Sequence, residues 1–117
     1  MTASPPEAEL TLLEGFFDAG RPADVVAHGE PLLARFPESF VLAHMLGTAN
    51  GMLGRDDRAA EHFRQAVQAK PDFYEAHLAL GLLLARTGHI QESRVYLEKA
   101  AQSSDSAVRL QALKALQ

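Results

Sequence analysis

The sequence predicts an all-α fold: three helix-turn-helix repeats stacked one on the next and closed by a C-terminal capping helix. Three observations predict it. First, Gly20, Gly54 and Gly88 recur every 34 residues, as do Pro37 with Pro71, Gly47 with Gly81, Ala66 with Ala100, and the series Leu12, Leu46 and Leu80. A fixed period of this length marks stacked units, each unable to bury its apolar face alone. Second, apolar residues between these marks fall at helical spacing. Third, each Gly or Pro of the series stands where one helix must stop and another begin.

Residues 1–5, "MTASP", read as a loose lead-in, and the repeats are placed at 6–39, 40–73 and 74–107. In the first, Pro31 falls inside the second helix, where it removes a hydrogen bond and crowds the preceding turn. A kink or break is expected near "HGEP". In the second repeat, apolar residues at 42, 45, 46, 49, 52 and 53 define a helix ending before Gly54. The segment "RDDRAAEHFRQAVQAK" then offers Asp56 and Asp57 as N-caps and sets Ala59, Ala60, Phe63, Ala66 and Val67 on one face. Pro71 ends that helix, because the residue before a proline is pushed out of the α region. Asp72 followed by Glu75 resembles a capping box for the next.

In the third repeat, Gly88 interrupts "LLARTGHIQES" at a cost of about 1 kcal/mol if it were mid-helix. As a stop between antiparallel helices it is the residue that takes positive φ with least strain. Residues 106–117, "SAVRLQALKALQ", form the closing helix. Its last residues stop in the middle of an apolar helical pattern, as a truncated chain or an exposed seam would.

Composition narrows the functional classes. The chain of 117 residues fits one small domain, with 47% hydrophobic and 22% charged residues. A net charge of -4 argues against a nucleic-acid binder, which needs a basic stripe to displace counterions. There is no cysteine, so disulfides and thiolate chemistry are excluded. The N-terminus lacks the basic-then-apolar layout of a secretory signal. The longest apolar run, "LALGLLLA", is too short to span a bilayer. A soluble, cytoplasmic protein with no membrane insertion is expected.

These residues resemble tetratricopeptide repeats. The second unit carries Ala43, Leu46, Gly47 and Asn50, then Ala59, Phe63 and Pro71. That follows the family pattern large-x-x-Leu-Gly-x-x-Tyr, Ala-x-x-x-Phe, Pro, with Ala43 and Asn50 in place of aromatics. The third carries His77, Leu80, Gly81 and Leu84, then Ser93 and Leu97, with Asp105 where Pro is usual. The first departs most: Leu13 stands where a small residue is expected and Gly29 where a large one is. The resemblance implies a right-handed superhelix in which the first helix of each unit lines a concave groove. Carried over by register, the lining is Leu10, Thr11, Glu14 and Phe17, then Val41, His44, Met45, Thr48 and Met52, then Glu75, Leu78, Leu82 and Arg86.

No reactive constellation competes with that groove. His28, His44, His62, His77 and His89 form no helical ligand pair, so neither metal nor cofactor is expected. His77 reads as a core histidine. No phosphate loop, nucleophile elbow or Ser-His-Asp layout occurs, and the chain is not expected to be an enzyme. The charged run "GRDDRAAEHFR" reads as a solvated convex face.

The expected function is a protein-interaction module that takes an apolar or amphipathic peptide or helix. The groove is apolar at its centre, with two adaptable methionines, and acidic at one end through Glu7, Glu14 and Asp18. Co-chaperone members of the family hold a chaperone's C-terminal carboxylate with Lys, Asn and Arg. The corresponding places here are Leu10, Glu14, Met45, Glu75 and Ala79, so such a clamp is not expected. Two alternatives stand beside this reading: self-association of copies of the chain, as homo-oligomers, and the N-terminal region of a larger enzyme. Similar arrays precede transferase domains in some bacterial glycosyltransferases and sulfotransferases.

Overall fold

The computed structural model describes residues 4–117, so the first three residues of the expected lead-in lie outside the described residues. Seven helices and no strand occur among the described residues: α1 (Glu7–Asp18), α2 (Pro22–Arg35), α3 (Phe40–Met52), α4 (Asp56–Ala69), α5 (Tyr74–Arg86), α6 (Ile90–Ala100) and α7 (Ser106–Ala115). Sequential helices pack as neighbours, and α7 lies across α5 and α6.

One turn design is used three times. Gly20, Gly54 and Gly88 take φ of 71°, 75° and 90°. The following residue sends its N–H back to the last helical turn: Arg21 to the Phe16 carbonyl at 2.8 Å, Arg55 to Asn50 at 2.9 Å, His89 to Leu84 at 2.8 Å. The glycine N–H groups donate to Phe17, Gly51 and Ala85. Two orphan carbonyls are thereby satisfied at each helix end, and only glycine accepts this backbone without strain.

The same turn corrects the expected caps. Arg21, Arg55 and His89 themselves stand at the N-cap positions of α2, α4 and α6, with no side-chain cap bond. Asp56 and Asp57 lie inside the first turn of α4, where they act on the exposed N–H groups through the helix dipole. Helix α5 starts from Phe73, so Asp72 is no capping box. Side-chain caps appear where no glycine turn feeds the helix. Ser39 Oγ accepts from the Leu42 N–H at 3.2 Å, and Asp105 Oδ1 accepts from the Ala107 N–H at 2.9 Å.

Helix α2 also departs from expectation. It runs from Pro22 to Arg35 without a break at Pro31. Pro31 and Ala27 are both exposed, so the carbonyl that loses its partner lies on the solvent side, where water satisfies it.

Within the second and third units a glycine on the first helix receives a large side chain from the second. A Cβ on Gly47 would lie 2.6 Å from the Phe63 ring, and one on Gly81 would lie 2.7 Å from Leu97. The first unit inverts the pair. Leu13, 34 residues before Gly47, is 1% exposed, and Gly29, 34 before Phe63, is the buried small partner. A Cβ on Gly29 would stand 2.9 Å from Leu46 of the next unit. The departures at Leu13 and Gly29 therefore exchange volumes across one contact.

Charged residues of α4 reach both neighbouring units. Arg58 pairs with Glu30 at 3.6 Å, Arg64 with Glu92 at 2.6 Å, and Asp56 with Arg86 at 2.9 Å. These pairs are partly exposed, so each contributes at most about 1 kcal/mol. Burial of the Leu, Ala and Phe seams holds the stack.

Candidate functional site

The residues expected to line the groove separate into two sets. On α3, Val41, Met45, Thr48 and Met52 follow one another at four, three and four residues, one stripe of a helix. Shifted by the repeat period, the same stripe is Glu75, Ala79, Leu82 and Arg86 on α5, and Glu7, Thr11, Glu14 and Asp18 on α1. Val41, Met52 and Leu82 are 39%, 56% and 40% exposed. Glu14, Glu75 and Arg86 are exposed as well, and Met45 and Thr48 are half-buried.

The second set is turned into the packing. Leu10, His44 and Leu78 are spaced by the repeat period. Leu78 is 8% exposed and packs with Val108 and Ala112 of α7. The His44 ring sits 5.1 Å from Phe73 and 5.6 Å from Phe63. Leu10 and Phe17 rest half-buried on the first core cluster. Helical geometry accounts for the split: one residue before the stripe position turns the side chain about 100° away, toward the next unit.

Between the α3 and α5 stripes lies a hollow of about 370 Å³, bounded by Gly47, Thr48, Gly51, Phe63, Ala79, Leu82, Leu83 and Arg86. The expected residues Thr48, Leu82 and Arg86 meet here. Gly47, Gly51 and Ala79 remove the side chains that would fill the space, and the Phe63 ring closes it from below. Ala79 falls on the stripe by register, but Gly47, Gly51 and Phe63 escape it, though two glycines four apart on one helix face were the available signal. Thr48 spends its hydroxyl on the His44 carbonyl at 3.0 Å. Arg86 is held by both carboxylate oxygens of Asp56 at 2.9 and 3.3 Å. The hollow is thus apolar, with a neutralised cation at its rim. A second, smaller hollow of about 260 Å³ brings Leu10 and Val41 together with Ser4, Pro5 and Phe40.

Three of the histidines, His44, His62 and His77, sit in the packing, while His28 and His89 are exposed. His77 Nε2–H donates to the Pro71 carbonyl at 2.7 Å, which leaves its buried Nδ1 without a partner. Burial foremost lowers its pKa below the ordinary 6.5, with Lys99 acting in the same direction and the Pro71 bond opposing. Burial likewise lowers His44 against the opposing charge of Glu75. It lowers His62 against Glu30 and Glu61, with Arg58 assisting. Among the described residues no three His, Asp or Glu side chains converge as a metal site requires.

This gives a pH dependence. Each imidazole binds its proton more weakly folded than unfolded, so their stabilisation is complete above about pH 6.5 and declines as pH falls below it. The urea midpoint is expected to be lower at about pH 5.5 than at about pH 7.5, and a midpoint unmoved across that interval would contradict this burial.

A family profile for the tetratricopeptide repeat matches residues 44–108, more than half of the chain. The chain is 28% identical over 98 residues to the tetratricopeptide repeat and J domain-containing co-chaperone DNJ1 of Fusarium oxysporum f. sp. lycopersici. That alignment covers 84% of this chain and 19% of the relative, so the chain spans under a fifth of the curated protein it matches. Its fold is similar to the TPR2B domain of yeast Sti1 in a complex with pHsp70, with a TM-score of 0.81 at 17% identity and 94% of both chains covered. It is also similar to the crystal structure of MamA, with a TM-score of 0.77 at 22% identity over 93% of this chain and 72% of that one. At these identities the likeness is one of fold. No helix among the described residues is long and apolar enough to cross a membrane.

Proposed function

The chain belongs to the tetratricopeptide repeat family, and on that premise we propose that it is a non-catalytic protein-interaction module built of units at 6–39, 40–73 and 74–107. Its binding surface is the stripe across α1, α3 and α5. The occupant is an amphipathic peptide or helix. One bulky apolar side chain of that partner enters the hollow between α3 and α5, and its basic residues face Glu7, Glu14 and Asp18 on α1.

The hollow carries this reading. A space of about 370 Å³ walled by two glycines, an alanine and a phenylalanine suits an aromatic or aliphatic anchor, and such anchors supply most of the energy of an interface. The flanking Met52 and Leu82 are exposed apolar groups continuous with it, and such patches mark contact surfaces. A carboxylate-terminated tail is a poor fit. Glu14 and Glu75 are exposed acids on the stripe, and the Arg86 guanidinium is already engaged by Asp56. Like charges brought together at an interface select against such a partner.

The test uses the two most exposed apolar members of the stripe. Met52→Glu and Leu82→Glu are expected to leave the thermal melt unchanged, since both side chains already face water. Each should abolish retention of the partner that the parent chain captures from native lysate. Retention of the same partner by both variants would remove the stripe from consideration. Leu78→Glu is unsuited to this purpose, because it would place a charge in the core beneath α7.

A further inference from the structure

Leu12, Leu46 and Leu80 occupy one position of the repeat, yet Leu46 and Leu80 are fully buried while Leu12 is 45% exposed. Their neighbours on the same stripe behave alike. Leu42 and Ala76 are buried where Ala8 is exposed, and Ala49 and Leu83 are buried where Gly15 is exposed. On α3 and α5 this face is the one that meets the preceding unit, through the α2–α3 and α4–α5 contacts. On α1 the described chain puts nothing against it. The Ala8–Leu12–Gly15 face is a unit–unit interface with one side supplied.

The other end of the stack is open in a complementary way. Helix α7 buries Val108 and Ala112 and leaves Leu110 and Leu113 58% and 46% exposed. Charge matches as well. Helix α1 carries Glu7, Glu9, Glu14 and Asp18 with no base, and α7 carries Arg109 and Lys114 with no acid. Two apolar faces of opposite charge suit each other and repel their own kind.

We propose that copies of this chain associate head to tail, the Ala8–Leu12–Gly15 face of α1 seated on the Leu110–Leu113 face of α7 in the next copy. The contact joins two different surfaces, so it builds an open stack or a ring of several copies, and not a two-fold dimer. It leaves the α3–α5 hollow free, since that hollow opens on another face of the helices. Its charge match shares Glu7, Glu14 and Asp18 with the proposed peptide partner, whereas Glu9 and the Leu12 face serve the stack alone, so stacking is measured on the chain without that partner.

Sedimentation equilibrium of the 117-residue chain tests it. Weight-average mass is expected to rise past that of a dimer over about two decades of concentration, and the rise should shrink as salt screens the opposed charges. Leu12→Lys removes the head and Leu113→Glu removes the tail, and each variant alone should remain monomeric with an unchanged melt. Mixed in equal amounts, the two should form a dimer that grows no further, because one intact head and one intact tail remain. Glu9→Lys should weaken the parent assembly at least about tenfold through charge alone. A parent chain monomeric throughout, growth undisturbed by Leu113→Glu, or a mixture that stays monomeric would overturn the proposal.

Discussion

Leu46→Ala and Leu80→Ala will each lower stability by about 2–5 kcal/mol, whereas Leu12→Ala at the same repeat position will change it by less than about 0.5 kcal/mol. Both buried leucines are at 0% exposure, Leu46 in the first core cluster with α2 and Leu80 in the second with α4. Removing three carbons there costs the transfer energy and leaves a cavity that rigid helices cannot close. Leu12 already stands 45% in water, so its truncation forfeits little. Urea unfolding of the three variants provides the comparison. A small domain has about 5–15 kcal/mol in all, so the buried variants should melt far below the parent. Equal effects at all three positions would mean that the first unit is packed on both sides.

Gly81→Leu will destabilise by about 1–3 kcal/mol or more, and Gly47→Leu by a similar amount. A Cβ at Gly81 meets Leu97 Cγ and Cδ2 at 2.7 Å and the Leu97 backbone nitrogen at 3.2 Å. The side chain can rotate away from part of this crowding, but the backbone cannot follow without moving α6. At Gly47 the obstacle is the Phe63 ring, with three of its atoms within 3.0 Å. Gly15→Ala provides the contrast, because a Cβ there meets nothing within 4 Å, and alanine improves the helix by up to about 1 kcal/mol. Differential scanning calorimetry of the three variants should therefore show two depressed melts and one unchanged or raised. An unchanged melt for Gly81→Leu would mean that α5 and α6 do not approach closely at that point.

The architecture was legible because its signals are backbone signals. Gly20, Gly54 and Gly88 do at each turn what only glycine does, so their spacing announces the hairpins before any packing is known. The caps were less legible. An aspartate just after a glycine turn looks like an N-cap, but the turn itself assigns that place to Arg55 and moves Asp56 one residue inward. Pro31 was misleading for a related reason: its cost depends on whether the orphaned carbonyl faces water, and periodicity does not report that. The inversion of Leu13 and Gly29 reads as two departures from a pattern until the contact that joins them is seen.

At the candidate site the register alone does not separate residues on the exposed stripe from those packed beneath it. His44 and Leu78 are polar and apolar members of one repeat position, and both are used in packing, His44 against Phe73 and Leu78 against α7. Only the packing of α7 on α5 shows that Leu78 is covered. The hollow depends on absent side chains at Gly47, Gly51 and Ala79, which a search for binding residues passes over.

A partner held on the proposed stripe of α3 and α5 would cover Met52 and Leu82, and the chain suits a direct measurement of that cover because it contains no cysteine. Single cysteines at Met52, Leu82 and Gln68 place maleimide-reactive probes on two stripe positions and on the exposed face of α4. Labelling rates are then compared in the free chain and in the complex with a captured partner. Protection of Met52→Cys and Leu82→Cys with Gln68→Cys still reactive is the predicted result, and protection at Gln68 with both stripe positions reactive would contradict it.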